Sequence, residues 1–199
     1  MCLIKRHSAL LLAHLEQPND APRAWIGAFL GKTVVSKLVT TTSKPALAPA
    51  LRQRWARLSP WPGGKWLFSK LLGIAVPYTG ALGAQIDTLA PGHCVVILRE
   101  RRRVRNHLNS VHAIALSNLL EASTGLAVLN GMPDDARGIL VALETRYLKK
   151  ARGTLRAECR CEIPRENTEC EYCITGEVRD ASGDIVATAT AHWLIGPQG

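Results

Sequence analysis

NHLNSVHAIALSNLLEASTGLAVLN, residues 106–130, is the stretch on which the organisation of the chain turns. Its first third crowds together the short polar residues Asn106, His107, Asn109, Ser110 and His112. The remainder is almost wholly apolar. Asn109 or Ser110 suits the N-cap of a helix running from about Val111 to Asn130, stopped by Gly131 and Pro133. Val111, Ala113, Ile114, Ala115, Leu116, Leu119, Leu120, Leu126, Val128 and Leu129 leave this helix scarcely any polar face, so it should be enclosed on nearly all sides.

The flanking sequence can supply the enclosure. Residues 84–89 and 94–104 read as strands joined at Pro91-Gly92, a turn pair. Four more strand-like runs follow at 139–148, 154–163, 171–179 and 185–195, the last two joined through the hairpin signal Asp180-Ala-Ser-Gly183. Two strands, one helix and four strands make an α+β layout, an antiparallel sheet wrapped around one long central helix.

Charge divides the chain differently. Of the 199 residues, 25 are Lys or Arg and 16 Asp or Glu, a formal net charge of +9. Residues 1–66 hold ten of the basic and two of the acidic ones, so nearly all the excess lies there. We therefore read 1–66 as a basic, partly helical N-terminal extension and 67–199 as the folded domain. With 47% hydrophobic residues a disordered chain is excluded. The uninterrupted apolar runs, such as 8–15 and 71–76, fall short of the roughly 18–20 residues of a membrane span. Lys5-Arg6 before Ala9-Leu-Leu-Leu-Ala13 has the start of a secretory signal, but His14 and Glu16 end it early. A cytoplasmic protein is expected, with organelle targeting by the basic leader left open. Within the extension, Leu51, Trp55 and Leu58 share a helical stripe, and Ser59-Pro-Trp-Pro-Gly-Gly64 breaks it.

Two features point to chemistry. Glu121 is a lone carboxylate on an otherwise buried helix, a placement that costs several kcal/mol unless the group is paired or used. The backbone N–H groups of His112, Ala113 and Ile114 at the helix start can polarise a carbonyl oxygen. Asn106 can hold a water or a carbonyl, and His112 can orient a ligand. His112 and Glu121 are nine residues apart, about 13 Å in rise and half a turn out of phase. If both serve one site, the simplest solution takes them from two subunits of a two-fold dimer.

The stretch from Asn106 to Val128 and the strands around it resemble the small hotdog-fold acyl-CoA thioesterases, whose motif is an Asn, a His six residues on that opens the helix, and an acid nine residues further. Asn106, His112 and Glu121 match it. The resemblance covers residues 77–199 and is especially close to a bacterial hotdog branch that begins with a Pro-Gly-Gly turn, a short Phe-containing helix and a Pro-Tyr pair, here Pro62-Gly63-Gly64, Phe68 and Pro77-Tyr78. It implies acyl-CoA hydrolysis to free acid and CoA, with Glu121 as base or nucleophile, the Ala113 N–H as oxyanion donor, and Asn106 and His112 positioning. It implies a homodimer, with tetramers open, and coenzyme A only as part of the substrate. Asn109 and the loop cluster Lys149, Lys150 and Arg152 would contact that substrate, the cluster through the CoA phosphates. Two departures stand out: the family's His-Gly-Gly is His112-Ala113-Ile114, and Leu140 stands where some relatives have a polar residue. A silent acyl-CoA-binding module, or a dehydratase using His107 with Glu121, are the competing readings.

Other partners are not expected. Cys159, Cys161, Cys170 and Cys173 look superficially like a zinc set. However, Leu155, Ala157, Cys159, Cys161 and Ile163 alternate as an apolar face, and Cys170 and Cys173 would point to opposite sides of a strand, so no metal is expected. Arg99, Arg101, Arg103 and Arg105 would line one face of a strand. Arg52 to Arg57 with Trp55 and Trp61 mixes basic and aromatic residues without a nucleic-acid motif.

Overall fold

An apolar helix at the centre organises the protein, as its composition requires. The computed structural model describes residues 47–163 and 168–198, and the readings made for residues 1–46 lie outside them. Three helices come first, α1 (Leu47–Leu58), α2 (Gly64–Ala75) and α3 (Pro77–Leu82), followed by β1 (Gln85–Ala90), β2 (His93–Arg99) and a single 3-10 turn at Arg102–Val104. Then come α4 (Ala113–Gly131) and β3 (Ala136–Tyr147), β4 (Thr154–Arg160), β5 (Cys170–Arg179) and β6 (Ile185–Pro197). The strands form one antiparallel sheet in the order β1-β2-β4-β5-β6-β3. This sheet around one helix is the hotdog fold.

Alternation builds the inner wall. Leu155, Ala157 and Cys159 of β4, Ile174, Gly176 and Val178 of β5, and Ala187, Ala189, Ala191, Trp193 and Ile195 of β6 are buried, each separated from the next on its strand by a residue of the opposite face. Against this wall, α4 buries Leu116, Leu119, Leu120, Leu126, Ala127 and Val128. By length and composition α4 is apolar enough to cross a membrane, which the search for unbroken apolar runs missed. Two-thirds of it is buried inside this fold.

The structure corrects the sequence reading at four places. Strand β2 ends at Arg99, not at residue 104. Continuing it would put Glu100 and Arg102 on the inner face with Leu98, whereas the 3-10 turn lets Val104 enter the core alone and leaves Arg101, Arg102, Arg103 and Arg105 outside. The expected arginine-lined strand face does not form. Nor does α4 begin at Val111 with an Asn109 or Ser110 cap. Val111 pairs with Arg105 and donates to the Ala151 carbonyl at 2.8 Å, and His112 donates to the Val104 carbonyl at 2.8 Å, so both are held extended and Ala113 is the first residue free to turn.

The other two corrections concern residues 47–66. Helix α1 belongs to the domain rather than to an extension: Ala48 and Leu51 lie in the common core, and Trp55 meets the buried Phe68 edge to face at 5.0 Å. Arg52, grouped above with a basic and aromatic mixture, reaches the C-terminal end of α4. Its guanidinium donates to the carbonyls of Leu129, Asn130 and Met132 at 3.3–3.4 Å and pairs with Asp134. A cation at the negative end of the helix dipole satisfies acceptors the helix itself cannot. The Pro62-Gly-Gly turn makes this packing possible, because Gly63 has φ 77° and a Cβ on Gly64 would stand 1.7 Å from the Leu58 carbonyl oxygen.

Gly125 shows how closely the helix fits the wall. A Cβ there would come within 2.9 Å of the Trp193 ring, whose indole N–H donates to Thr124 Oγ1 at 3.4 Å. Gly125→Val is expected to lower the unfolding free energy by about 1–3 kcal/mol through overpacking, with partial recovery when Trp193→Phe is added. Urea denaturation of the three proteins measures this.

Candidate active site

The residues singled out from sequence gather around the N-terminal end of α4. The loop of residues 105–112 is a closed hydrogen-bonded unit. Asn106 Oδ1 accepts from the Leu108 N–H at 2.9 Å and from the Ser110 N–H and Oγ at 3.2 Å, and the Ser110 carbonyl accepts from the Asn106 N–H at 2.8 Å. Asn106 therefore spends its oxygen on shaping the loop. Its amide nitrogen meets no acceptor among the described residues. Asn109 adopts φ 51°, a left-handed conformation that asparagine tolerates better than most residues. His112 caps the helix through Nδ1, which accepts from the Ile114 N–H at 3.1 Å. The Ala113 N–H is left with no acceptor among the described residues, at the positive end of the helix.

The β3–β4 connection lies against this loop. Arg152 Nε donates to the Asn109 carbonyl at 3.2 Å, so two of the expected substrate-binding residues do meet. Lys149 does not join them. It is held by Asp180, at 3.1 Å, and by Asp184, both from the β5–β6 hairpin, and the hydrogen bond to Asp184 foremost raises its pKa. Lys150 is exposed and carries no ion pair among the described residues. The basic cluster is thus split: Lys149 is paired with two carboxylates, Arg152 sits within electrostatic reach of Glu100, and Lys150 makes no ion pair among the described residues.

Glu100 fastens the connection to the loop, a role that sequence reasoning missed. Its Oε2 accepts from the Gly153 N–H at 2.5 Å, its own N–H donates to the Gly153 carbonyl at 3.0 Å, and its Oε1 takes the Arg105 Nε at 2.6 Å. The Gly153 bond first, then Arg105, holds this carboxyl below its ordinary range. A depressed carboxylate pKa contributes stability that is fully present above the unfolded value near 4.3 and fades as pH falls through the lower folded value. Thermal midpoints measured across pH 3–6 are expected to fall more steeply on acidification in the native protein than in Glu100→Gln.

Glu121 stands two turns into α4, half-buried. It carries no ion pair among the described residues, so the pairing with an arginine that would have made it structural is not there. Its neighbour is Asn118, whose amide nitrogen lies 3.5 Å from Glu121 Oε2 and donates to Thr79 Oγ1 of α3 at 3.1 Å. Asn118 Oδ1 is buried and meets no donor among the described residues. Thr79 could not be read from sequence, because only the close packing of α3 on α4 brings it there. Ile114 (53% exposed), Ser117 and Glu121 recur at helical spacing as the open stripe of α4. Ser117 joins this stripe to β3 through the Tyr147 hydroxyl, 2.6 Å away. His107 is exposed and stands apart from Glu121's neighbours.

The edge beside this stripe is unusual. Strand β3 is the last in the sheet, is twelve residues long, and exposes Ile139, Val141 and Tyr147, with Leu148 just beyond. Long apolar edges of this kind are covered in most proteins.

Solved structures share the architecture. A structural-genomics target protein superposes with a TM-score of 0.66 at 27% identity, over 77% of this chain and all of that one. A Pseudomonas aeruginosa protein described as a probable thioesterase gives 0.61 at 22%, over 69% and 97%. A Ralstonia eutropha protein described as a candidate thioesterase related to phenylacetic acid degradation gives 0.51 at 26%, over 59% and 89%. No curated protein matches. The family profile of the Domain of unknown function (DUF4442) matches residues 64–195, from the first turn of α2 almost to the end of β6, and the chain belongs to that family.

Proposed function

We propose that the protein is a homodimeric thioesterase that hydrolyses acyl-CoA esters to the free acid and CoA. The observation that carries this reading is the pairing, on one open stripe of α4, of an unpaired half-buried carboxylate with a helix start whose Ala113 N–H has no acceptor among the described residues. The description of the Ralstonia relative as a candidate thioesterase supports the reaction class.

Chemically, Glu121 takes a proton from water as the water oxygen attacks the thioester carbonyl carbon. The Ala113 N–H donates to the oxyanion that forms. Collapse breaks the C–S bond, and the CoA thiolate leaves and is protonated. Glu121 and Ala113 of one chain lie eight residues apart, about 12 Å along the axis, too far to act on one carbonyl. A two-fold axis beside β3 removes the difficulty. It pairs the β3 edges, covers their apolar side chains, and runs the two copies of α4 antiparallel, so that the helix start of one faces the Glu121 turn of the other. Asn106 and His112 then hold the loop and the cap, and Lys150 with Arg152 receive the CoA phosphates.

Glu121→Gln is expected to reduce kcat on acyl-CoA by about 10²–10⁴-fold while leaving acyl-CoA binding within a few-fold of native. A panel of acyl-CoA esters assayed for thiol release, with calorimetric binding in parallel, checks both. Binding without turnover in the native protein would instead identify a ligand-binding module, a result that the bulk of Ile114 beside the oxyanion donor would explain.

The dimer has its own test. Ile139→Arg with Val141→Arg places like charges on the β3 edge, and sedimentation is expected to show a folded monomer with turnover lost, because each site needs both chains.

A further inference from the structure

We infer that the protein carries a site for a zinc-like divalent cation on the outer face of its sheet, formed by Glu171 and Cys173 of β5 and His192 of β6. The register places Cys173 directly opposite His192, with Glu171 two residues before Cys173 on the same face. All three point away from α4, since Ile174, Ala191 and Trp193 between and beside them are buried against it. One ligand atom from each lies within 4.8 Å of the others. The site is remote from the α4 stripe and independent of the thioesterase reading.

The geometry is also that of a ligand set converging on one point. His192 Nδ1 is 2.6 Å from Glu171 Oε1 and 3.4 Å from Cys173 Sγ, so one ring nitrogen faces two groups. A protonated Nδ1 serves the carboxylate and leaves the thiol unserved, while an unprotonated one accepts from the thiol and meets the carboxylate as acceptor against acceptor. A cation binding all three removes this conflict. Ligands at roughly 2.0–2.3 Å from a tetrahedral ion lie about 3.3–3.8 Å apart. The Sγ–Nδ1 separation already fits, and the exposed Glu171 has only to swing outward by less than an ångström or so.

The surroundings complete the pattern. His192 Nε2, the nitrogen facing away from the cluster, lies 4.0 Å from Glu144 Oε1 of β3. A histidine that binds metal through one nitrogen commonly gives the other N–H to a carboxylate, which fixes the ring and raises its basicity. Among the described residues no Lys or Arg pairs with Glu144 or Glu171, so His192 is the partner that both carboxylates share. The mixture of sulfur, nitrogen and oxygen ligands suits Zn²⁺ or Co²⁺ rather than Ca²⁺ or Mg²⁺. The set differs from the four cysteines considered in sequence: Cys159 lies on the inner face beside Cys94, and only Cys173 is shared. The proposal departs from the expectation of no metal.

Titrating Co²⁺ into the untagged, reduced full-length protein tests the assignment. Near-stoichiometric binding is expected, with the absorption bands of tetrahedral cobalt and a thiolate-to-cobalt charge-transfer band, reversed by Zn²⁺. Cys173→Ser should abolish the charge-transfer band, and His192→Ala and Glu171→Gln should each weaken binding by more than about tenfold. Cys170→Ser should change neither. These positions are on the sheet surface, and circular dichroism confirms that each variant is folded. Absence of the charge-transfer band, its persistence in Cys173→Ser, or unchanged affinity in both other variants overturns the site.

Discussion

Burial of α4 is the constraint on which the structure depends. A helix with apolar residues on every side cannot rest on a flat sheet and leave its back to water without exposing Leu or Val side chains on each turn. The strands must curl around it, and its ends must be closed by something other than solvent. At the C-terminal end, Arg52 supplies donors to three carbonyls. At the N-terminal end, His112 supplies one acceptor, and the Ala113 N–H meets none among the described residues. The asymmetry places the open end of the dipole against the polar loop of residues 106–112.

Enclosure is incomplete along one line, and the proposed site lies on it. The sheet ends at β3, which pairs with β6 on one side only, and Ser117 of the open stripe meets Tyr147 of that edge strand. A carboxylate at Leu116, Leu119, Leu120 or Ala127 would sit in the core, at a cost of several kcal/mol. At Glu121 it is half-buried and carries no ion pair among the described residues.

Much of the fold was legible because its signals are local. Strands β4 and β6 show period-two alternation over most of their length, and the apolar content of residues 113–129 called for a central helix. Glu121 was legible for the same reason, as a break in that pattern. What failed depended on contacts distant in sequence. The helix cap was misplaced because the pairing of Val111 with Arg105 and Ala151 competes with helix formation, and nothing in residues 109–112 announces it. Lys149 was grouped with Lys150 and Arg152 because Asp180 and Asp184 approach it only through the β5–β6 hairpin. Arg52 looked like part of a basic leader because its partners lie 77 or more residues away.

Register explains the rest. On a sheet, residues that share chemistry are chosen by which strands pair and by how far one is slid along the other, and a shift of one residue inverts every face. Cys173 opposite His192 is such an outcome, invisible as a motif because the two are 19 apart and belong to different runs. The same register sends Trp193 inward against Gly125. Any slip that disrupted the Glu171, Cys173 and His192 cluster would therefore also expel the indole from the core. The packing of α4 thus fixes the outer face as firmly as the inner one, and groups far from the helix hold their positions because the helix fits only one alignment of β5 and β6.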